Sequence, residues 1–109
     1  MRISPWIGQY ILNADGDPVP CDNILEWGKW METADRHVAD DELDGGVRVS
    51  TVFLGLDHAF HGPPPILWET MVFGGPHDQY MDRYSSREAA IEGHKRVVQM
   101  ASSPTAEVT

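Results

Sequence analysis

His58 and His61 stand with two residues between them in LGLDHAFHGPPPILWET, residues 54–70. Asp57 precedes the first, and Glu69 follows in the next apolar run. Imidazoles at that spacing, completed by a carboxylate or a third ring, are the donors zinc takes. Asp57, His77, Glu69 and His94 are the residues that would complete such a set. Specific zinc motifs pair two spaced dyads, and here there is one, so the reading is no metal and no cofactor. Glu69 lies between Leu67, Met71 and Phe73 on one strand face, where a carboxylate needs a partner or an open face. Its candidate partners are Arg48, Ser50, Thr51 and His94. His94 falls within an apolar helical stripe, as a satisfied core ring or as a ring presented to a ligand. Arg83 and Arg87 stand beside Ser85 and Ser86 at the start of that helix, where unpaired backbone N–H groups suit phosphate. Trp68 offers a ring for stacking on a base. Trp68 and Glu69 must point to opposite faces of one strand, so only one of them meets a pocket. Glu69 is the one expected there, with the proline-stiffened loop 57–65 as a rigid rim.

Nucleophile chemistry has less to build on. Cys21 sits between Pro20 and Asp22 with no histidine near it in sequence. The motifs GxSxG, HExxH, CxxC and GxGxxG are absent. No catalytic residue is assigned, and a non-enzymatic binding protein is the preferred class. The ligand-binding set is Asp57, His58, His61, Trp68, Glu69, Arg83, Arg87 and His94.

Periodicity says which elements must carry these residues. Residues 6–12 (WIGQYIL) read as a strand and NADGDP as a tight turn. Val19 begins a short return strand that Pro18 and Pro20 confine to an edge. A helix starts at Asp22 or Asn23, with Glu26 at capping-box spacing from Asn23. Its apolar stripe is Ile24, Trp27, Met31, Ala34 and Val38. Residues 39–46 (ADDELDGG) read as an acidic, solvated loop without calcium-site spacing. Residues 47–56 and 66–74 are the strongest strand signals, and their short link makes them antiparallel neighbours at the sheet centre. GGPHDQ turns the chain into a short strand at 80–84. A second helix begins at Ser85, with Glu88 at capping-box spacing. Its stripe is Ala90, His94, Val97, Val98 and Ala101, and Pro104 ends it. The fold class is therefore α+β: an antiparallel sheet of about four to five strands with two helices packed on one face. Residues 1–101 form a single globular domain and 102–109 a flexible tail.

Seventeen acidic residues against eight basic ones give a formal net charge of -9. Direct nucleic-acid binding needs the opposite balance. A basic protein surface is compatible with it, as is simple solubility. No apolar run approaches the ~20 residues of a membrane span, and MRISPWIGQY lacks a signal peptide's apolar core. A single cysteine permits no internal disulfide, which points to a reducing compartment.

Four segments, PVPCDNILEWGKWMETADRHVA, RVSTVFLGLDH, PPILWETMVFGG and RYSSREAAIEGH, cover most of residues 18–94. In them the chain resembles a family of small proteins of tailed bacteriophages and prophages. The resemblance implies a phage genome and action in the host bacterial cytoplasm, and it brings no assigned catalytic residue. Small phage proteins outside the virion often counter host defence. The expected function is a phage accessory protein that counters host defence by binding a small anionic, nucleotide-like ligand. Two alternatives stand beside it. One is an acidic inhibitor of a basic host protein, with residues 39–46 facing the partner. The other is a metal-dependent hydrolase on His58, His61 and Glu69. A homo-oligomer is compatible with any of these, and a membrane partner with none.

Overall fold

The computed structural model describes residues 8–59 and 62–102. His61, the first residues of the 6–12 strand and the chain from 103 onward lie outside the described residues. Eight elements follow in order: β1 (Tyr10–Leu12), β2 (Pro18–Pro20), α1 (Ile24–Thr33), β3 (His37–Leu43), β4 (Val47–Phe53), β5 (Trp68–Phe73), β6 (Met81–Tyr84) and α2 (Arg87–Ser102). The fold is α+β. β3, β4, β5 and β6 form an antiparallel four-stranded sheet in that order, and β1 and β2 pair as a separate two-stranded ribbon. The two apolar runs are the central neighbours, with Phe53 opposite Trp68 and Arg48 opposite Phe73.

Strand alternation sorts the sheet into two faces. Val47, Val49, Val72 and Val97 make one buried cluster, and Phe53, Leu67, Trp68, Tyr84 and Ala90 make another. Both clusters place β4 and β5 side chains against α2, which touches all four strands. Burying a side chain of this kind contributes about 1.5–3 kcal/mol. Gly93 lets α2 approach closely: a Cβ at that position would strike the Tyr84 ring and hydroxyl.

α1 is held more lightly, with no fully buried residue. Its start is the expected one, since the Asn23 side chain accepts hydrogen bonds from the Leu25 and Glu26 backbone N–H groups. Trp27 Nε1 donates to the Gly55 carbonyl at 3.0 Å. The Trp30 ring meets Phe53 edge-on at 5.8 Å, which brings α1 to the same side of the sheet as α2. Gly55 makes this docking possible. Its φ is +79°, and a Cβ there would sit 2.6 Å from Met31 Sδ. Ile24, placed in the apolar stripe by spacing, is instead exposed.

Two expectations are corrected. The first helix was expected to carry its stripe through Ala34 to Val38. It ends at Thr33, because Ala34 is extended at φ -79°, ψ 144° and serves as the C-cap. The Asp35 carboxylate then accepts from the His37 N–H, and the Arg36 guanidinium donates to the Phe53 carbonyl, which steers the chain along β4. The solvated loop expected over residues 39–46 is not what forms, since most of these residues belong to β3. Three consecutive acids disfavour a strand by propensity. At a sheet edge they are tolerated, and they discourage pairing with a further strand. The backbone of β4 supplies the pairing, from Leu43 opposite Val47 to His37 opposite Val52, with one bulge between His37 and Ala39. A smaller shift occurs at α2, where Ser86 Oγ, not Ser85, accepts from the Ala89 N–H.

Candidate functional site

A chain of polar side chains runs beneath α2. Tyr84 OH donates to Thr70 Oγ1 at 3.0 Å. Thr70 and Thr51, opposite one another on β5 and β4, share a hydrogen bond between their hydroxyls. Thr51 Oγ1 lies 2.7 Å from His94 Nδ1, and His94 Nε2 lies 2.7 Å from Asp41 Oδ2 on β3. A neutral ring with its proton on Nε2 satisfies every member: Tyr84 donates to Thr70, Thr70 to Thr51, Thr51 to Nδ1, and Nε2–H to Asp41. Burial pushes the Tyr84 hydroxyl up from its ordinary value, so it remains a donor. An Asp–His–Thr order has the logic of an activated nucleophile. Thr51 and Thr70 are 0% exposed, however, so no substrate reaches the hydroxyl. The arrangement ties β3, β4, β5, β6 and α2 together. Nothing in sequence spacing singles out Thr51, Thr70, Tyr84 and Asp41. The usable signal was two threonines inside apolar strand runs, since buried hydroxyls need partners.

The predicted site residues distribute as follows. Asp57 Oδ1 accepts from the backbone N–H groups of Ala59 and Ile66, which closes the base of the proline loop. His58 Nδ1 donates to the Leu56 carbonyl at 2.8 Å, and its backbone N–H donates to Ile66 O. Trp68 is 2% exposed among Phe53, Tyr84 and Ala90, with its Nε1 buried and unpaired among the described residues. His94 is buried in the polar chain. Glu69 points to the opposite face, as alternation requires. Its partner is Arg83, whose Nε donates to Glu69 Oε2 at 3.0 Å, and not Arg48, Ser50, Thr51 or His94. Arg87 is exposed in the first turn of α2. The structure thus brings Glu69 to Arg83, while Asp57 and His58 each bond the backbone at the base of the loop. It keeps Trp68 and His94 on the other side of the sheet from Glu69. Hollows of about 710 Å³ along the outer side of α1 and about 630 Å³ by the β3–β4 turn and the end of α2 are lined by none of the eight. Among the described residues no group of three histidine, cysteine or acidic side chains gathers to hold a metal. No described helix is long and apolar enough to cross a membrane.

The face carrying Glu69 and Arg83 has no described helix packed on it. Register places Asp40, Ser50, Met71 and Met81 in one row across the four strands. Glu42, Arg48 and Phe73 form the row on one side, and Val52, Glu69 and Arg83 the row on the other. Phe73 is 43% and Met81 42% exposed. Arg48 grips Asp40 with two hydrogen bonds, Nε to Oδ1 at 2.9 Å and Nη2 to Oδ2 at 2.7 Å. Its guanidinium also lies over the Phe73 ring at 5.8 Å. The hydrogen bonds from Arg48, ahead of any other influence, hold the Asp40 carboxyl below the usual carboxylate range. Nothing in the spacing of Phe73, Met71 and Met81 marks them as surface residues, and the placement of α2 on the other face does. Comparison of the chain with protein-family models, with curated proteins and with solved structures finds no match.

Proposed function

We propose that this chain is a non-enzymatic, protein-binding accessory factor that docks a basic host protein through the uncovered face of its four-stranded sheet. One observation carries the reading: Phe73 and Met81 stay exposed on a sheet face with no described helix over it, beside an edge strand that sets Glu42 and the Arg48-paired Asp40 on the same face. Exposed aromatic and methionine side chains are common contact residues at protein interfaces. A net charge of -9 steers basic surfaces toward the molecule. The phage resemblance supplies the setting, action against a host defence factor in the bacterial cytoplasm. The nucleotide-ligand reading has less support, because Trp68 and His94 lie across the sheet from Glu69 and Arg83. The test is expression in a defended bacterial host challenged by phage. The parent protein is expected to raise plating efficiency, and a folded Phe73→Glu/Met81→Glu variant is expected to lose that effect. A folded double variant that protects phage as well as the parent rules the surface out.

A further inference from the structure

We propose that the buried polar chain beneath α2 is a proton-linked two-state switch: one proton taken up by the Asp41–His94 pair reverses three hydrogen bonds and turns Tyr84 from donor to acceptor. With a neutral ring the chain runs one way. Tyr84 donates to Thr70, Thr70 to Thr51, and Thr51 to His94 Nδ1 at 2.7 Å. His94 Nε2–H donates to Asp41 Oδ2, also at 2.7 Å. Each hydroxyl holds one hydrogen, so a row of hydroxyls has two ordered arrangements, each the reverse of the other. Nδ1 selects between them. An imidazolium carries hydrogen on both nitrogens. Nδ1–H then donates to Thr51 Oγ1, Thr51 turns its hydrogen to Thr70, and Thr70 turns its own to the Tyr84 oxygen. One proton is added, and every hydroxyl keeps its hydrogen. A proton resting on Asp41 Oδ2 has the same effect, because Nε2 then accepts and Nδ1 holds the ring's hydrogen. The two groups therefore take up the proton as a unit.

Burial makes the reversal obligatory. Thr51 and Thr70 are 0% and His94 4% exposed, so the members of the chain must satisfy one another. The Asp41 side chain is 54% exposed and opens one end to solvent protons. Tyr84 is the other end, and its hydroxyl lies against Gly93. Reversal releases the Tyr84 hydrogen from Thr70 at the contact between β6 and α2. Asp41, from β3, is the charged group that meets the ring. β4 and β5 turn Thr51 and Thr70 toward it, within a surround of Val49, Val72 and Val97. On β6, Tyr84 is raised chiefly by burial, and Asp82 and Arg96 also act on it. Lys95 pairs with Glu92 on the exposed side of α2, and Arg87 and Glu88 are exposed in its first turn. Arg48, Glu69, Arg83 and Glu42 lie on the other sheet face. Asp40, on that face too, is lowered first by its bonds from Arg48, then by His37, and least by His94.

The test is an NMR titration of the isotopically labelled full chain from neutral pH into acid. It reads the two ring nitrogens of His94 and the hydroxyl-bearing ring carbon of Tyr84. At neutral pH, hydrogen is expected on Nε2 and not on Nδ1. On acidification, Nδ1 is expected to gain hydrogen, and the Tyr84 carbon is expected to shift with the same midpoint. Thr51→Ser keeps the hydroxyl and should keep both responses. Thr51→Val and Thr70→Val, checked for fold by circular dichroism, should leave the His94 response and abolish that of Tyr84. Asp41→Asn changes a half-exposed side chain and so decides the matter even where the valine variants unfold. It removes the carboxylate beside the ring and should move both midpoints together to lower pH, by about 1 unit or more. A Tyr84 signal that stays flat through the parent's titration overturns the switch. So does an Nδ1 that never gains hydrogen, which would put the new proton on the outer Asp41 oxygen. A Tyr84 response that survives in folded Thr70→Val, or midpoints that separate in Asp41→Asn, overturns it as well.

Discussion

Thr51→Val probes the buried polar chain at its node. The Thr51 hydroxyl bonds both Thr70 Oγ1 and His94 Nδ1, and Thr51 is 0% exposed. Valine keeps the shape and removes the hydroxyl, so two buried polar groups lose their partner. Each such loss costs about 1–3 kcal/mol. The added methyl returns about 1 kcal/mol of apolar burial. The net expectation is a destabilisation of about 3 kcal/mol. That is a large part of the roughly 5–15 kcal/mol expected for a domain of this size. Thr51→Ser is the control: it keeps the hydroxyl chain and loses one methyl group, for about 1 kcal/mol. The assay is urea unfolding followed by tryptophan fluorescence and circular dichroism, with coincident transitions required for two-state treatment. At an m-value of about 1.5 kcal/mol per molar, Thr51→Val moves the midpoint down by about 2 M, and Thr51→Ser by well under 1 M. A valine variant as stable as the serine variant would refute the claim that this chain of hydroxyls and imidazole holds the sheet to α2.

Gly93→Ala should destabilise by about 1–3 kcal/mol although alanine favours helices, because its Cβ meets the Tyr84 ring; thermal melts decide it. Arg48→Gln should return the Asp40 carboxyl toward its ordinary range, read by NMR titration. A depressed carboxylate stabilises above the unfolded pKa of ~3.9 and loses that contribution as pH falls through the lowered folded value. The parent should therefore be more stable than Arg48→Gln at neutral pH, with the gap closing in acid. The raised Tyr84 hydroxyl works at the other end of the scale. Its contribution is complete below the unfolded value of 10.0 and is lost as pH rises through the folded value, so Tyr84→Phe should flatten the alkaline limb of stability. Phe73→Ser with Met81→Ser should change stability by no more than about 0.5 kcal/mol per site, as for exposed side chains outside the core; a larger loss by urea melt would place them in the core instead.

Local chemistry sufficed where an element depends on its own residues. Asn23 caps a helix because its carboxamide oxygen sits within reach of two N–H groups of the next turn. The runs at 47–56 and 66–74 are apolar enough to demand burial as strands, and a short proline-bearing link leaves an antiparallel pairing as the workable one. The opposite facing of Trp68 and Glu69 follows from the two-residue period of a strand alone. Only tertiary structure decided the rest. ADDEL is a strand because β4 needs a backbone partner at its outer edge, and no property of three acidic residues states that. Glu69 meets Arg83 because β5 and β6 pair in one register, a relation between chain segments 14 residues apart. Trp68 and His94 look like ligand contacts in the one-dimensional list, yet α2 packs over one sheet face and takes both into the core. The same packing leaves Phe73 and Met81 on the other face, exposed because one helix of this size covers a single side of a four-stranded sheet.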